Sequence, residues 1–585
     1  MNKVKIYLSL AILTLVTQIS FSQVKDENIG SEVVNIVKPY TPTISDAFKV
    51  KETPVMEDDE SMNKETIQYN IFSFPVASTF TPAKGKAASV DKAEREKIFR
   101  NYATLGFGNY SAVNAELFVT ENFGRNSYVG GMLRHLSSQG GIKDLVLDDK
   151  YYNTSLDITY GTRERDLSWN VDLGIKNQIY NWYGLPTKNI VFDEATIKEI
   201  DPKQSYNTIA LGGKLNLENS FFNEASLLFK RFSDGFGSGE NRFYVKPNFD
   251  FDVVNQKIKA NFILDYVGGK FEKDYTASNE IKYSNVIFGT KPSILYQQDD
   301  LSVQLGAGIF YTTGKINGES DSKLFVYPNV KASYKIVGDV LIGYAGAEGG
   351  LNQNSYADFV DQSPFVSPTL FVAPTDNKYD IYVGLKGKLA NTVAFNIRGS
   401  FNNEDNKPLF MSNEYVFQNA NTEGYTYGNS FKVVYDNVKT ASFFGEIKAD
   451  FSKNVSLGIN GTYNNYTTDE ESEAWNLPQL KVGTTLDFDI NEKWYAGVNV
   501  FFVGERKDRV SVQSLAAVFP PEFQPQDVTL DSYFDLNAHV GYKYNDRLTA
   551  FLRGNNLANQ QYNRWTNFPV QGVQVLLGAN YKFDF

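Results

Sequence analysis

The sequence has no cysteine, only two histidines and no surplus of basic residues. Without cysteine there are no disulfides, thiolate metal sites, catalytic thiols or lipoprotein anchors. With two histidines in 585 residues, a zinc site or a histidine-dependent triad is not expected. A net charge of −11 leaves no basic surplus to neutralise phosphates, which argues against nucleic acid as a partner. The composition therefore predicts a protein that is not an enzyme and has no cofactor.

Long apolar runs are also scarce, and the only one is at the N-terminus. Lys3 and Lys5 precede an apolar stretch that ends in Ser20-Phe21-Ser22. This is the pattern of a secretory signal peptide, here residues 1–22, cut before Gln23. No later segment has the roughly 18 uninterrupted apolar residues of a transmembrane helix. A membrane span must then be built from strands closed into a barrel, because every backbone polar group in hydrocarbon needs an internal partner.

Alternation of apolar and polar residues is what the sequence has in abundance. Hydrophobic residues make up 42% and aromatic residues 15% of the chain. The C-terminal segment places on one face Val573, Val575, Leu577, Ala579, Tyr581, Phe583 and Phe585. The same period of two recurs at residues 258–266, 301–311 and 455–463. A period of two gives each strand one apolar face and one polar face, as a membrane barrel requires.

Two classes of connection alternate from about residue 100 to the C-terminus. Short turns are predicted near 121–124, 162–165, 218–223, 252–255, 297–300, 336–338, 389–391, 451–453, 490–492 and 545–547. Longer connections are predicted near 109–112, 135–148, 179–203, 232–240, 268–280, 314–322, 351–377, 402–427, 466–477, 504–529 and 557–570. With residues 428–450 taken as one strand, ten short and eleven long connections predict an all-β, antiparallel up-and-down barrel of 22 strands. An even number places both chain ends and the short turns in the periplasm, and the long loops outside.

A soluble array of β-sandwiches is the alternative fold. It is disfavoured because outward apolar side chains on almost every strand would then contact water. Aromatic residues near strand ends instead indicate interfacial girdles, and they are Tyr102, Phe107, Tyr110, Tyr466, Trp494, Tyr495, Tyr542 and Tyr544.

Residues 23–99 differ from the rest of the chain. They contain five prolines in a short stretch, namely Pro39, Pro42, Pro54, Pro75 and Pro82. Proline at this density excludes a long helix or a central strand. We predict a periplasmic or lumen-entering arm over residues 23–99, followed by the outer-membrane barrel over residues 100–585.

Two predicted outer loops are unexpectedly apolar. Their large side chains are Phe365, Leu370 and Phe371 in residues 364–374, and Phe519 and Phe523 in residues 515–523. Tyr180, Trp182, Tyr183 and Leu185 of a third loop could join the same surface. An exposed apolar patch is typical of a surface that binds an extracellular partner. The equal alternative is that the loops fold inward and cap the lumen.

Oxygen-bearing side chains in two other outer loops raise the question of a Ca²⁺ site. They are Asn317, Glu319 and Asp321, and Asp469, Glu470, Glu471 and Glu473. The spacing lacks the full EF-hand pattern, so solvated acidic loops are the favoured interpretation.

Three motifs in the last third of the chain point to a known family. They are the run Leu552–Tyr562, the final strand from Gly572 to Phe583, and Asn437–Phe451 with adjacent Gly445 and Glu446. These resemble the penultimate strand, the last strand and a Gly-x-Glu strand of the TonB-dependent receptors. The resemblance implies a barrel of 22 strands, ligand binding or transport across the outer membrane, and contact with a periplasmic energising protein.

The N-terminal region departs from that family, because residues 23–99 show no recognisable plug pattern. The segment from Leu105 to Tyr110 resembles a plugless or short-plug branch of such barrels. Near the N-terminus, a short β-prone run resembles the family's periplasmic contact box, and its residues are Glu32, Val33, Val34, Ile36 and Val37.

Two functions remain open on the sequence. The first is a receptor that binds or transports a ligand. The second is a non-transporting structural or accessory subunit of an outer-membrane complex. An open lumen of 22 strands would be far wider than any nutrient, because barrel diameter grows with strand number. A simple porin is therefore disfavoured, and outer-membrane lipid and other outer-membrane proteins are the expected partners.

Overall fold

The structure is a computed structural model that describes residues 97–218, 220–253, 256–277, 279–514 and 520–585. Within these ranges 22 strands form one closed antiparallel sheet. The predicted fold class and strand number are confirmed. The predicted signal peptide lies outside the described residues, as does the predicted arm up to residue 96.

The barrel strands are β1 (Asn101–Gly108), β2 (Val113–Phe123), β3 (Ser127–Ser138), β4 (Tyr151–Arg163), β5 (Leu167–Asn181), β6 (Lys203–Leu217), β7 (Phe222–Asp234), β8 (Gly239–Val253), β9 (Gln256–Phe271), β10 (Ile281–Gln298), β11 (Leu301–Ile316), β12 (Glu319–Asp339), β13 (Leu341–Asn352), β14 (Thr375–Ala390), β15 (Val393–Ser412), β16 (Phe431–Ser452), β17 (Val455–Thr468), β18 (Leu480–Asp489), β19 (Trp494–Val503), β22 (Tyr533–Lys543), β23 (Leu548–Asn555) and β26 (Gln574–Phe583). Two small hairpins lie within loops, β20 (Arg506–Gln513) with β21 (Phe523–Leu530), and β24 (Asn563–Trp565) with β25 (Phe568–Pro569).

Helical structure is limited to α1 (Glu194–Glu199), α2 (Tyr356–Gln362) and a 3₁₀ turn at Asn109–Ser111 within the described ranges. None of these helices has the length and hydropathy that crossing a membrane requires.

The sheet closes on itself where β1 meets β26. Asn101 lies opposite Phe583 at one end of this seam, and Gly108 lies opposite Leu576 at the other. Elsewhere each barrel strand pairs with its neighbour along the chain. Residues 428–450, predicted as one strand, fall in the continuous strand β16 apart from its first residues. Closure removes the sheet edges, so the backbone groups of every strand have partners within the barrel.

The outer face of the barrel is apolar. Outward side chains such as Leu305, Val383, Phe443 and Leu577 are between 54% and 65% exposed. Their neighbours in sequence lie on the lumen face, as the period of two requires. Most of these neighbours, such as Gln304, Gly306 and Ser442, are polar or small, whereas Phe444 and Leu576 are apolar. A continuous apolar exterior on a closed barrel is stable only in a lipid environment.

Exposed aromatic residues ring the barrel at its short-turn edge. They are Phe123, Phe221, Phe251, Phe451, Trp494 and Tyr544, and Trp494 packs against Tyr542 with ring centroids 4.7 Å apart. This ring is the interfacial girdle that the sequence predicts near Trp494 and Tyr544. The prediction is wrong for Tyr466, which packs beside the fully buried Trp475 instead.

The strands differ greatly in length around the barrel. β1, β18, β19, β22, β23 and β26 have 8 to 11 residues, about the 9–11 residues that span a bilayer. β10, β12, β15 and β16 have 18 to 22 residues. Their extra length lies at the long-loop end, because short turns close the other end directly below the aromatic girdle. The barrel therefore has a short wall and a tall wall.

Two predicted loops are shorter in the structure, because the flanking strands continue into them. The predicted loop at 402–427 begins only after Ser412, and the predicted loop at 314–322 is a turn at Asn317-Gly318 with φ angles of 47° and 95°. In both places the alternation of apolar and polar residues ends where the strands of the tall wall extend beyond the membrane. A sheet outside lipid does not need one apolar and one polar face.

Candidate functional site: a cap of five loops over the barrel mouth

Five long loops meet over the barrel mouth. We name them loop A (residues 182–202), loop B (353–374), loop C (413–430), loop D (504–532) and loop E (556–573). Four of them contribute buried apolar residues to the largest hydrophobic cluster of the described chain. We refer to the whole assembly as the cap.

The upper ends of β15 and β16 support the cap on both of their faces. Phe410 and Val433 lie opposite each other in register and belong to the central cluster of the cap. On the other face, Leu409 and Met411 pack against Trp475 from the connection after β17. Because both faces are covered, consecutive residues of β15 are buried, which explains why this segment lacks the period of two.

An aromatic hub joins loops A, B and E. The rings of Phe365 in loop B and Phe568 in loop E are stacked with centroids 4.0 Å apart. Tyr183 of loop A packs against Phe568 at 4.9 Å, and its hydroxyl donates to the Pro569 carbonyl at 3.0 Å. Gly184 lets the backbone pass this hub, since a Cβ there would lie 2.3 Å from the Phe568 ring. The hub thus connects residues from both walls of the barrel.

Loops A and C are joined by a second set of contacts. The Trp182 ring packs against Tyr425 at 5.3 Å, and the Asn429 side chain donates to the Trp182 carbonyl at 2.8 Å. Burial raises the pKa of Tyr425 to about 12, so this hydroxyl remains protonated. At Gly424 a Cβ would fall 1.7 Å from the Asp201 carbonyl oxygen. Only glycine therefore permits the two loops to approach this closely.

A fully buried carboxylate, Asp508 of loop D, ties the two walls together. It accepts from the Ser412 backbone N–H at 3.0 Å and from the Ser412 hydroxyl at 2.7 Å. It also accepts from the Thr566 hydroxyl of loop E and the Arg509 N–H. Burial raises the pKa of Asp508, while these four donors favour its charged form. The node links β15 of the tall wall to two loops of the short wall.

Loop B carries α2 into the lumen. Ser355 caps this helix by accepting from the Asp358 N–H at 3.1 Å. Beyond the helix, the Pro364 carbonyl accepts from the hydroxyl of Tyr206 on β6 at 2.9 Å. Tyr356 and Phe359 are completely buried in the central cluster. The loop is consequently bound to the barrel wall as well as to the other loops.

The apolar residues predicted in the outer loops have different positions in this cap. Phe365 and Leu370 are buried, whereas Phe371 is 46% exposed beside Tyr435. Phe523 is half-buried against Tyr415 at 5.0 Å. Phe519 lies outside the described residues, as do Glu32, Val33, Val34, Ile36 and Val37. Loop B thus folds inward except at Phe371, and the docking role of these residues stays a prediction.

Some of the residues considered for Ca²⁺ contact protein groups. Asp436 accepts from the backbone N–H groups of Glu470 and Glu471, and Asp469 pairs with Lys439 at 3.4 Å. Asn317 accepts from the Lys282 N–H. Among the residues that the structure describes, no three acidic or histidine side chains are grouped to hold a metal ion.

Several residues that build the cap have no distinct signal in the sequence. Phe568 and Asp508 are isolated in loops without a motif, and they meet partners far away along the chain. The aromatic run at Tyr180, Trp182 and Tyr183 does point to a packed loop. The consecutive apolar residues Leu409–Met411 were the clearest neglected signal, because an unbroken apolar run indicates burial on both faces of a strand.

Comparison with family models and with curated protein sequences finds no match. Solved structures of outer-membrane receptors are similar in fold. The FrpB iron transporter of Neisseria meningitidis is 12% identical, with a TM-score of 0.61 over 83% of this chain and 82% of that chain. The ferripyoverdine receptor of the outer membrane of Pseudomonas aeruginosa, bound to ferripyoverdine, is 12% identical. Its TM-score is 0.61, and the match covers 84% of this chain and 72% of the receptor. The ferric-catecholate import receptor Fiu of E. coli K12 is 9% identical, with a TM-score of 0.59 over 84% and 82%.

These likenesses show the fold of this chain, a closed barrel of 22 strands similar to the barrels of those proteins. The resemblance expected from the motifs near the C-terminus is confirmed at this level.

Proposed function

We propose that this protein is an outer-membrane receptor that binds a ligand at its extracellular mouth and admits it to the lumen when the cap opens. The observation that carries the proposal is the cap itself. Five loops of a receptor-like barrel are joined across the mouth by the Phe365–Phe568 hub, the Trp182–Tyr425 contact and the Asp508 node. A barrel of this width needs a closure that can open if it is to pass a ligand without leaking.

The chemistry of the ligand is not carried over from the similar structures, because one fold supports many functions. Ferric chelates are nevertheless the first probes, since one similar receptor is bound to ferripyoverdine and another is described as an import receptor for ferric catecholates. Energy for transport would come from a periplasmic partner that contacts residues Glu32–Val37, following the resemblance of this segment to the family's contact box.

The second candidate is a non-transporting subunit of an outer-membrane protein complex. The exposed ring of Phe371 at the rim of the cap favours it, because a large apolar side chain exposed to water is typical of a partner surface. In this case the cap would serve as a rigid platform rather than a gate.

Deletion of residues 23–50 distinguishes the two candidates. Cells with the deletion are compared with wild-type cells for accumulation of labelled ferric chelates and for proteins that co-purify with the barrel in mild detergent. Loss of accumulation with an unchanged set of partners supports the receptor. Loss of partners with unchanged accumulation supports the complex subunit.

Conductance of the purified full chain in planar bilayers gives an independent check. The closed cap predicts small conductance, and a large stable conductance would contradict both candidates in favour of an open porin.

A further inference from the structure

Helix α2 lies against a strip of basic side chains on the lumen wall. Asp358 contacts Lys230 of β7 at 3.3 Å and Arg242 of β8 at 2.9 Å. One turn further, Asp361 contacts Lys176 of β5 at 3.0 Å. Two carboxylates of one short helix therefore neutralise cations from three wall strands.

The same helix is fixed by contacts that do not depend on these cations. Glu240 of β8 accepts from the Tyr356 N–H at 2.7 Å, from the Ala357 N–H at 3.3 Å and from the Tyr283 hydroxyl at 2.7 Å. Asp234 accepts from the Tyr356 hydroxyl at 2.9 Å. Removal of the two α2 carboxylates therefore leaves the helix with several anchoring hydrogen bonds.

The wall offers few substitutes for the α2 carboxylates. Among the described residues, Asp358 and Asp361 are the only carboxylates within ion-pair distance of Lys230 and Lys176, respectively. Arg242 is different, because Asp265 of β9 also accepts from its Nε at 3.0 Å and from its second terminal nitrogen at 2.7 Å. If α2 moved away, the two lysines would lose their ion-pair contacts and Arg242 would keep only the one with Asp265.

When α2 leaves, Glu240 loses the N–H donors of Tyr356 and Ala357 and Asp234 loses the Tyr356 hydroxyl, but each nearby wall carboxylate keeps other donors. Asp265 remains bound to Arg242, Glu240 holds the Tyr283 hydroxyl, and Asp234 accepts from the backbone N–H groups of Phe236 and Ser238. Each of these donors belongs to the wall or to the turn after β7, so the bonds persist when α2 leaves.

We infer that Lys176, Lys230 and Arg242 form a lumen-wall site for a ligand with at least two carboxylate groups, and that α2 occupies this site as an internal ligand in the closed protein. The inference rests on the proposed receptor function and names the class of ligand. Asp358 and Asp361 stand in the places of two ligand carboxylates. A ligand of this class competes with α2 for the same cations, and its binding removes the ion pairs that hold one side of α2 against the wall.

The inference is tested with citrate as the probe and the full chain in detergent micelles, at constant ionic strength. The double variant Asp358→Asn, Asp361→Asn removes the internal ligand and keeps the size of both side chains. Calorimetry is expected to show citrate binding at least about tenfold tighter than to the wild type, since loss of roughly 1.4 kcal/mol of competition corresponds to a factor of ten. The matched control Asp469→Asn removes an exposed carboxylate paired outside the lumen and should not change the affinity.

A second pair of substitutions locates the site. Lys176→Gln and Lys230→Gln, added to the double variant, should abolish the gain in citrate affinity. Hydrogen exchange of residues 356–362 reports on the helix in each sample and should rise when citrate binds to the wild type. Unchanged citrate affinity in the double variant would overturn the inference, and so would tight binding that survives both lysine substitutions.

These outcomes are separate from those that test the proposed function. If citrate does not bind and the barrel has low conductance, only the inferred class of ligand is contradicted. A large conductance of the wild-type chain would contradict the proposed receptor function itself.

Discussion

The tall and short walls of this barrel differ in what their residues contact above the membrane. On the short wall, strands such as β1, β23 and β26 have 8 to 10 residues and end where the bilayer ends. On the tall wall, β15 and β16 have 20 and 22 residues and continue beyond it. Below the mouth the two walls follow one pattern, with apolar residues outside and polar residues inside.

Lipid therefore constrains a strand only over its membrane-spanning length. Within the bilayer each residue faces either hydrocarbon or the wet lumen, so the period of two is obligatory. Above it, the upper ends of β15 and β16 are covered on both faces, and buried residues follow one another as in a soluble core. Loops D and E of the short wall reach across to this support, and the cap is the result.

The largest effect is expected at the hub where the loops of the two walls meet. Phe365→Ala should destabilise the cap by about 3–5 kcal/mol, because it removes a buried aromatic ring and leaves a cavity. Hydrogen exchange of loops B and E measures the change, with Phe371→Ala as the matched control at an exposed ring of the same loop. Equal effects of the two substitutions would show that the hub does not hold the walls together.

The second largest effect is expected from arginine substitutions at lipid-facing positions, which should destabilise both walls equally within the bilayer. Leu305→Arg on the tall wall and Leu577→Arg on the short wall should each cost about 2–4 kcal/mol near the membrane centre. Gln304→Arg, on the neighbouring lumen-facing position of β11, should cost less than about 1 kcal/mol, because its charge enters the wet lumen. Unfolding from lipid vesicles in denaturant gives the three values, and a large cost at Gln304 would contradict the assignment of faces.

A smaller effect is expected at the node between loop D and the tall wall. Asp508→Ala leaves the donors of Ser412 and Thr566 unpaired, which should weaken the cap by about 1–3 kcal/mol. Protease cleavage of loops D and E should then become faster, while the barrel strands remain protected.

The same node predicts how the cap responds to pH. Burial raises the pKa of Asp508, so the folded cap binds this proton more tightly than the unfolded loops do. Above the pKa that Asp508 has in the folded cap, the buried charge lowers the free energy of unfolding of the cap. This destabilisation is lost as the pH falls towards the pKa of about 3.9 that an aspartate has in an unfolded chain. Asp508→Asn removes this contribution, and cleavage rates at pH 5 and pH 7 should differ less in the variant than in the wild type.

The smallest effect is expected at a solvent-exposed ion pair on the tall wall. Asp469→Asn breaks the ion pair with Lys439, in which both side chains are more than 40% exposed, and should cost less than about 1 kcal/mol. Denaturant unfolding in lipid vesicles measures the cost. A cost comparable to that of Asp508→Ala would show that this outer face of the tall wall is buried by a further partner.

Much of the fold follows from residue patterns that lipid imposes. The strand number, the alternation of short and long connections and the closing C-terminal strand were all predictable, because each span must show the period of two. The limits of β15 were not, since residues after Asn402 lose that period while the strand continues to Ser412. The 314–322 connection was predicted as a loop for the same reason.

The cap was predictable only in part. Apolar residues in the loop around Phe365 indicated either a docking surface or inward folding, and no local pattern decides between the two. The partner of Phe365 is Phe568, about 200 residues later, and Asp508 meets Ser412 across the mouth. Such pairs depend on which strands become neighbours in the closed barrel.

A barrel of 22 strands that spans a membrane follows from the residue pattern alone, because hydrocarbon requires an apolar side chain at every second position of a span. The closed mouth and the residues that close it are evident only in the folded chain. Above the bilayer, no boundary between lipid and a polar lumen requires apolar and polar residues to alternate. Burial there is set by contacts between loops that are distant in sequence, and closure of the sheet is what brings those loops together.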